Sequence, residues 1–167
     1  MITDILKRIL LRDLDTLRRE IAAYRREEDL WAVPVGIQNS AGTLARHAAG
    51  NLQHFIGAQL GGTGYVRDRD AEFAATTVPR RDLEAELTRA MQSVRTTLDA
   101  LPPERLHEPY PLEVGGVRPP TGMFLVHLAT HLAYHLGQVD YHRRLVTGKG
   151  DTVGAQSVPA LLAELPI

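Results

Sequence analysis

Residues 121–148 read TGMFLVHLATHLAYHLGQVDYHRRLVTG. Wound at 100° per residue, this stretch puts His127, His131, His135, Gln138 and His142 in one sector roughly 80° wide. Leu128, Leu132, Leu136 and Val139 fill the adjoining sector, while Ala129, Ala133, Asp140 and Arg144 lie well away from the histidines. A row of imidazoles beside a leucine face looks toward neighbouring helices, and that is where a helical bundle builds a metal site. Thr121 reads as the cap of this helix and Gly148 as its terminator, giving a helix of about 122–147. Spacing limits which histidines share an ion. Residues four apart rise by about 6 Å and residues eight apart by about 12 Å, whereas each metal–nitrogen bond is about 2.0–2.1 Å. One ion therefore takes His127/His131 or His131/His135, and periodicity leaves both pairs open. His142 is too far from His135 and lies nearer Gln138.

Working outward, three more amphipathic stretches accompany this one. Ile5, Ile9, Leu10, Leu14, Leu17 and Ile21 recur at steps of three and four among charged residues, which predicts a helix over about 3–28. Trp31-Ala-Val-Pro34 ends it, because proline disfavours helix in the residue before it. Asn39-Ser40 offers N-caps to a second helix, about 41–60, with Leu44, Ala48, Leu52 and Phe55 on its buried stripe. Beside that stripe stand His47, Asn51 and His54. Gly61-Gly62-Thr63-Gly64 stops it. Residues 61–80 show no period, and their length exceeds what an antiparallel helical hairpin needs, so they read as a crossover along the bundle. Arg67, Arg69 and Glu72 in that crossover are candidates for the mouth of a site. A third helix, about 81–101, carries Leu83, Leu87, Met91, Val94, Leu98 and Leu101 on one side, and Pro102-Pro103 ends it. Leu112-Glu-Val114, before Gly115-Gly116, reads as extended, and an apolar piece at 158–165 reads as docking on the bundle or on a second subunit. The expected architecture is all-α, a single four-helix-bundle domain over 1–167.

Composition narrows the function. With 167 residues, 44% of them hydrophobic and 23% charged, the chain has the make-up of a globular domain with a sizeable core. A formal net charge of −1 gives no reason to expect a nucleic-acid partner. There is no cysteine, which excludes disulfides, thiolate zinc sites and a cysteine nucleophile. The charged start, MITDILKRILLRDLDTLRRE, resembles neither a signal peptide nor a membrane span, so the expected location is cytoplasmic, without a membrane partner.

Two histidines from one helix and one from another would hold a divalent ion and leave a coordination position open, the mark of a catalytic or ligand-exchanging metal. Imidazole suits zinc or nickel, whereas magnesium and calcium prefer oxygen. Other motifs fall away. His131-Leu-Ala-Tyr-His135 lacks the glutamate of a zincin. Glu104–His107 is the only Glu-x-x-His and is hemmed by prolines, whereas a di-iron centre needs two on bundle helices. Tyr134, on the opposite phase, reads as surface or interface.

The runs Thr43-Leu-Ala-Arg-His47-Ala-Ala-Gly-Asn51 and His127-Leu-Ala-Thr-His131-Leu-Ala-Tyr-His135-Leu-Gly137-Gln138 resemble the DinB-like superfamily, a family of metal-dependent helical-bundle proteins. The likeness spans the order of the four long helices. It implies an up-down-down-up bundle, commonly dimeric, and hence a homodimer. It further implies the metal ligands His47, His131 and His135, which leaves His127 as a supporting or core histidine. Asn51, His54, His127 and Gln138 are then expected to orient ligands or face the substrate. Many relatives carry arginine where this chain has Leu136, so any anion-anchoring role of that arginine is absent or moved here. Members that use a low-molecular-weight thiol imply a transferase with an external thiol cofactor; a metal-assisted hydrolase of a small-molecule substrate is the companion expectation. The alternatives are a non-catalytic dimer with a structural metal, or a small-molecule-binding stress-response protein.

Overall fold

Leu6, Leu10, Leu14, Leu17 and Ile21 line one side of α1 (Ile2–Ala22) and are buried together. The computed structural model describes residues 2–74 and 77–162. After a 3-10 turn at Glu27–Trp31, α2 runs through Ala41–Leu52, a π-helical turn at Gln53–Ala58 and a last turn at Gln59–Gly61. A short α3 (Arg69–Phe73) precedes α4 (Arg80–Ala100), and α5 (Thr121–Thr147) is the longest element. The fold is all-α: five helices and three 3-10 turns among the described residues, with only isolated β-bridges. No helix among them is long and apolar enough to cross a membrane.

The four long helices enclose one core. Both α1 and α2 pack on α4 and α5, and they touch each other only slightly, so they stand diagonally across it. Along α2 and α5 the residues meet in opposite order: His47 faces His131 and His135, and Phe55 faces Phe124. These two helices therefore run in opposite directions. Leu128, Leu132, Leu136 and Val139 are buried, as their sector predicts.

Several local expectations are corrected. α1 stops at Ala22 rather than near Glu28, because Tyr24 turns into the core and the chain re-forms as a 3-10 turn in which Arg26 pairs with Asp29. Ile5 is exposed and its place is taken by Leu6 and Leu11, since α1 is covered by α4 and α5 on two sides. Phe55 is only partly buried; Ile56 takes the inner position and Phe55 packs against Phe124. Thr121 is no cap: it is fully buried inside the first turn and donates its hydroxyl to the Glu108 carbonyl. Gly148 does end α5 with a left-handed φ of 67°. The crossover is not wholly irregular, since Asp68 accepts from the Ala71 amide and caps α3.

The second connection is held to α2 by Tyr110, which is fully buried and donates its hydroxyl to the Phe55 carbonyl at 2.6 Å. Val114 and Val117 form a bridge around Gly115 and Gly116, whose φ angles of +59° and +81° make the tight turn that only glycine adopts freely. The tail lies on α1, where Arg8 donates to the Leu161 carbonyl, Arg12 to Gln156 and Arg19 to the Val153 carbonyl. The end of the predicted 158–165 piece lies outside the described residues.

Candidate metal centre

His47 sits where α2 is lined by small residues. Ala45, Ala48, Ala49 and Gly50 are all buried, which lets neighbouring elements come close. Across from it, His131 and His135 project from successive turns of α5. The three Nε2 atoms converge: His47 to His131 is 3.4 Å and His135 to His131 is 3.1 Å. One ligand atom from each of the three lies within 4.8 Å of the others. Two nitrogens bound to one tetrahedral ion at about 2.0–2.1 Å stand about 3.3 Å apart, so the observed spacings fit a shared ion. Of the two pairs that spacing left open, His131/His135 is the one joined by His47.

The outer nitrogens are held by other groups. Glu72 Oε2 lies 3.0 Å from His47 Nδ1, and Gln138 Oε1 lies 2.7 Å from His135 Nδ1. Each oxygen accepts from an Nδ1–H, which leaves the Nε2 lone pairs of these two rings turned inward. A second tier of this kind fixes tautomer and ring orientation around a metal. Arg67 forks onto Glu72, Nε to Oε1 and Nη2 to Oε2, both at 2.7 Å. Burial pushes the Glu72 carboxyl up, but the hydrogen bonds from Arg67 and His47 more than reverse this, and its pKa falls below the usual range. Burial, followed by the neighbouring His135 and His47, brings His131 down to about 4. Burial also lowers His135. His131 is therefore neutral near pH 7, as a ligand must be.

The close approach of Glu72 depends on Gly50. A Cβ built there would stand 2.2 Å from Glu72 Oε1. Glu72 and Arg67 were legible only as mouth residues of the crossover; the role of Gly50 had no signal beyond its place three residues after His47. Arg69 stays out of the cluster and stacks on Phe73, whose ring is 4.9 Å from that of His47.

The remaining candidates divide. Asn51 is buried, with Oδ1 unpartnered, and His54 is half-buried with Nδ1 unpartnered. His54 is lowered by burial and by Arg67. His127 is exposed rather than core; it stacks on Phe124, and its ring is 6.0 Å from that of His131. His142, though in the same sector, is engaged elsewhere: Nε2 donates to the Ala32 carbonyl at 2.8 Å and Nδ1 accepts from the Tyr24 hydroxyl at 2.6 Å. Leu136 is buried in the core and offers no charge there. Tyr134 is exposed.

An all-helical fold with three imidazoles meeting between two of its long helices defines a class of helical protein able to hold a metal ion. The family model of the DinB superfamily matches residues 10–139, most of the chain, and the chain belongs to that superfamily. No curated protein and no solved structure matches it.

Proposed function

We propose that this chain is a divalent-metal-dependent enzyme acting on a small molecule, in which His47, His131 and His135 hold a zinc- or nickel-class ion and leave a coordination position open. The observation that carries this reading is the convergence of three Nε2 atoms, two of them on rings whose outer nitrogens are engaged by Glu72 and Gln138. Membership of a generally metal-binding superfamily adds to it. When bound, such an ion supplies Lewis acidity and lowers the pKa of a water or thiol in its open position.

The chain's own residues do the positioning. Glu72 accepts from His47 and keeps that ring turned inward, while Arg67 holds Glu72 and balances its charge. Gln138 does the same for His135. Asn51 Oδ1 and His54 Nδ1, buried without partners, are acceptors for a donor group of the substrate. The reaction we propose is transfer using an external low-molecular-weight thiol, which a chain without cysteine must obtain from outside; metal-assisted hydrolysis is the second form. The up-down-down-up order and a homodimer belong to the same proposal, and the opposed directions of α2 and α5 accord with that order.

Elemental analysis of tag-free protein tests the reading. The wild type is expected to carry about one zinc- or nickel-class ion per chain and His131→Ala far less. Wild-type protein that stays metal-free after incubation with zinc and nickel would sink it. A chelator that abolishes turnover while the melting temperature barely moves separates a functional ion from a structural one.

A further inference from the structure

Past the histidines, the same face of α5 runs into a feature that the metal reading leaves unused. A cavity of about 560 Å³ opens there between the start of α2 and the last third of α5, roofed by the 36–39 loop. Leu44, one turn before His47, forms one wall; Tyr141, His142 and Leu145 form the other. Gln138 belongs to both features, since it lines the cavity and also accepts from His135 Nδ1 at 2.7 Å. The cavity thus adjoins the candidate centre at this side chain, which stands between the cavity and His135.

The lining has a definite chemistry. It contains no Asp, Glu, Lys or Arg. His142 adds no free donor or acceptor, because both ring nitrogens are engaged by Tyr24 and the Ala32 carbonyl. The polar side-chain groups left are those of Gln38 and Asn39, the Tyr141 hydroxyl and the amide of Gln138, whose bond to His135 is its only one among the described residues. Tyr141 and Leu145 are 74% and 65% exposed, so the apolar wall is completed only by something seated on it. The volume lies within the range of small-molecule sites, about 300–1,000 Å³.

Resting on the metal reading above, we propose that this cavity takes the uncharged, apolar body of the substrate. The substrate class is then an amphiphilic small molecule, with an oxygen or sulfur donor head at the imidazoles and a hydrocarbon or aryl body lying along α5 toward Leu145. The rise from His135 to His142 is about 10 Å, a length that a body of several carbons spans. The polar side of the centre, where Asn51 and His54 lie, is at the opposite end of the histidine cluster along α2. The site thus sorts the two ends of such a molecule.

Two measurements test this. In metal-free protein, octanamide is expected to shift the NMR amide signals of residues 36–39 and 138–145; if those signals do not move, the cavity assignment is overturned whatever the metal does. In cobalt-loaded protein, affinity followed by the visible cobalt spectrum is expected to rise from acetohydroxamate to octanohydroxamate by about threefold to fourfold per methylene. Leu145→Glu is expected to flatten that rise, while Met123→Glu, exposed at the far end of α5, leaves it intact. Affinity that is flat across the series in wild-type protein overturns the cavity proposal and leaves the metal reading standing. If octanamide shifts the cavity residues but no hydroxamate changes the cobalt spectrum, the metal reading falls, and the donor-head assignment with it. Octanamide binding that weakens as protein concentration rises assigns the cavity to a second copy of the chain and overturns the proposal.

Discussion

Glu72 reaches His47 because Gly50 offers no side chain to stop it. The carboxylate passes so close to α2 that a methyl at Gly50 would stand 2.2 Å from Oε1. Glu72→Gln keeps the shape but removes the charge that holds His47 Nδ1–H, and loss of such an outer partner typically weakens metal affinity about 10–100-fold. Gly50→Ala is expected to act in the same direction by pushing Glu72 away, although it touches neither the metal ligands nor the ion. Competition for zinc against a chromophoric chelator measures both variants; affinities equal to wild type would show that Glu72 does not orient His47. At this scale the sequence was legible in part. The histidine row on α5 follows from a 3.6-residue period, but the period leaves two pairs open, and it is the family resemblance that implies His131/His135 together with His47 from a different helix. Glu72 lies 25 residues from the ring it holds, and no periodicity connects two residues across a crossover.

At the scale of elements, α5 is held on two faces by different chemistry. One face carries the histidines toward α2. The other carries Arg143, which is almost fully buried and pairs with the fully buried Glu20 of α1, and whose Nη2 donates to the Asp151 carbonyl at 2.6 Å. Arg143→Ala would leave Glu20 buried without its partner, a defect that costs about 3–5 kcal/mol. Replacing both partners, as in Glu20→Leu with Arg143→Met, is expected to recover most of that loss. Urea unfolding at pH 7 of the single and double variants gives the comparison, and a double variant as unstable as Arg143→Ala would contradict it. This clamp explains why Asp140, placed well away from the histidines by its phase, is nonetheless buried: α1 covers the back of α5. Helix ends were legible where a residue acts locally, as Gly148 does. They were missed where a tertiary contact decides, as when Tyr24 pulls the chain out of α1. The π turn at Gln53–Ala58 has no local signal either, since an inserted residue in a helix is accommodated by its neighbours.

Over the whole molecule, buried imidazoles make folding depend on pH in one direction. His142 joins the segment after α1, the connection at Ala32 and the last third of α5 through its two hydrogen bonds. Burial pushes its pKa below the ordinary 6.5; the Ala32 carbonyl and Asp29 oppose this but do not cancel it. An imidazole in the unfolded chain takes up a proton near pH 6.5, while the folded one resists until a lower pH. The unfolded state therefore binds more protons in that window, and stability falls as pH falls, by up to about 1.4 kcal/mol per pH unit for each such group. Above pH 6.5 both states are neutral and this contribution is fully present; below the folded pKa no further loss comes from it. His54, His131 and His135 are lowered as well, so in metal-free protein all four act with the same sign. Urea midpoints of chelator-treated protein between about pH 7.5 and about pH 5.5 are expected to drop steadily, and those of His142→Gln to drop less steeply. The variant starts from lower stability, having lost the Tyr24 and Ala32 contacts, so the slope and not the midpoint carries the test. Equal slopes for wild type and variant would mean that His142 takes up its proton as readily in the folded protein as in the unfolded chain.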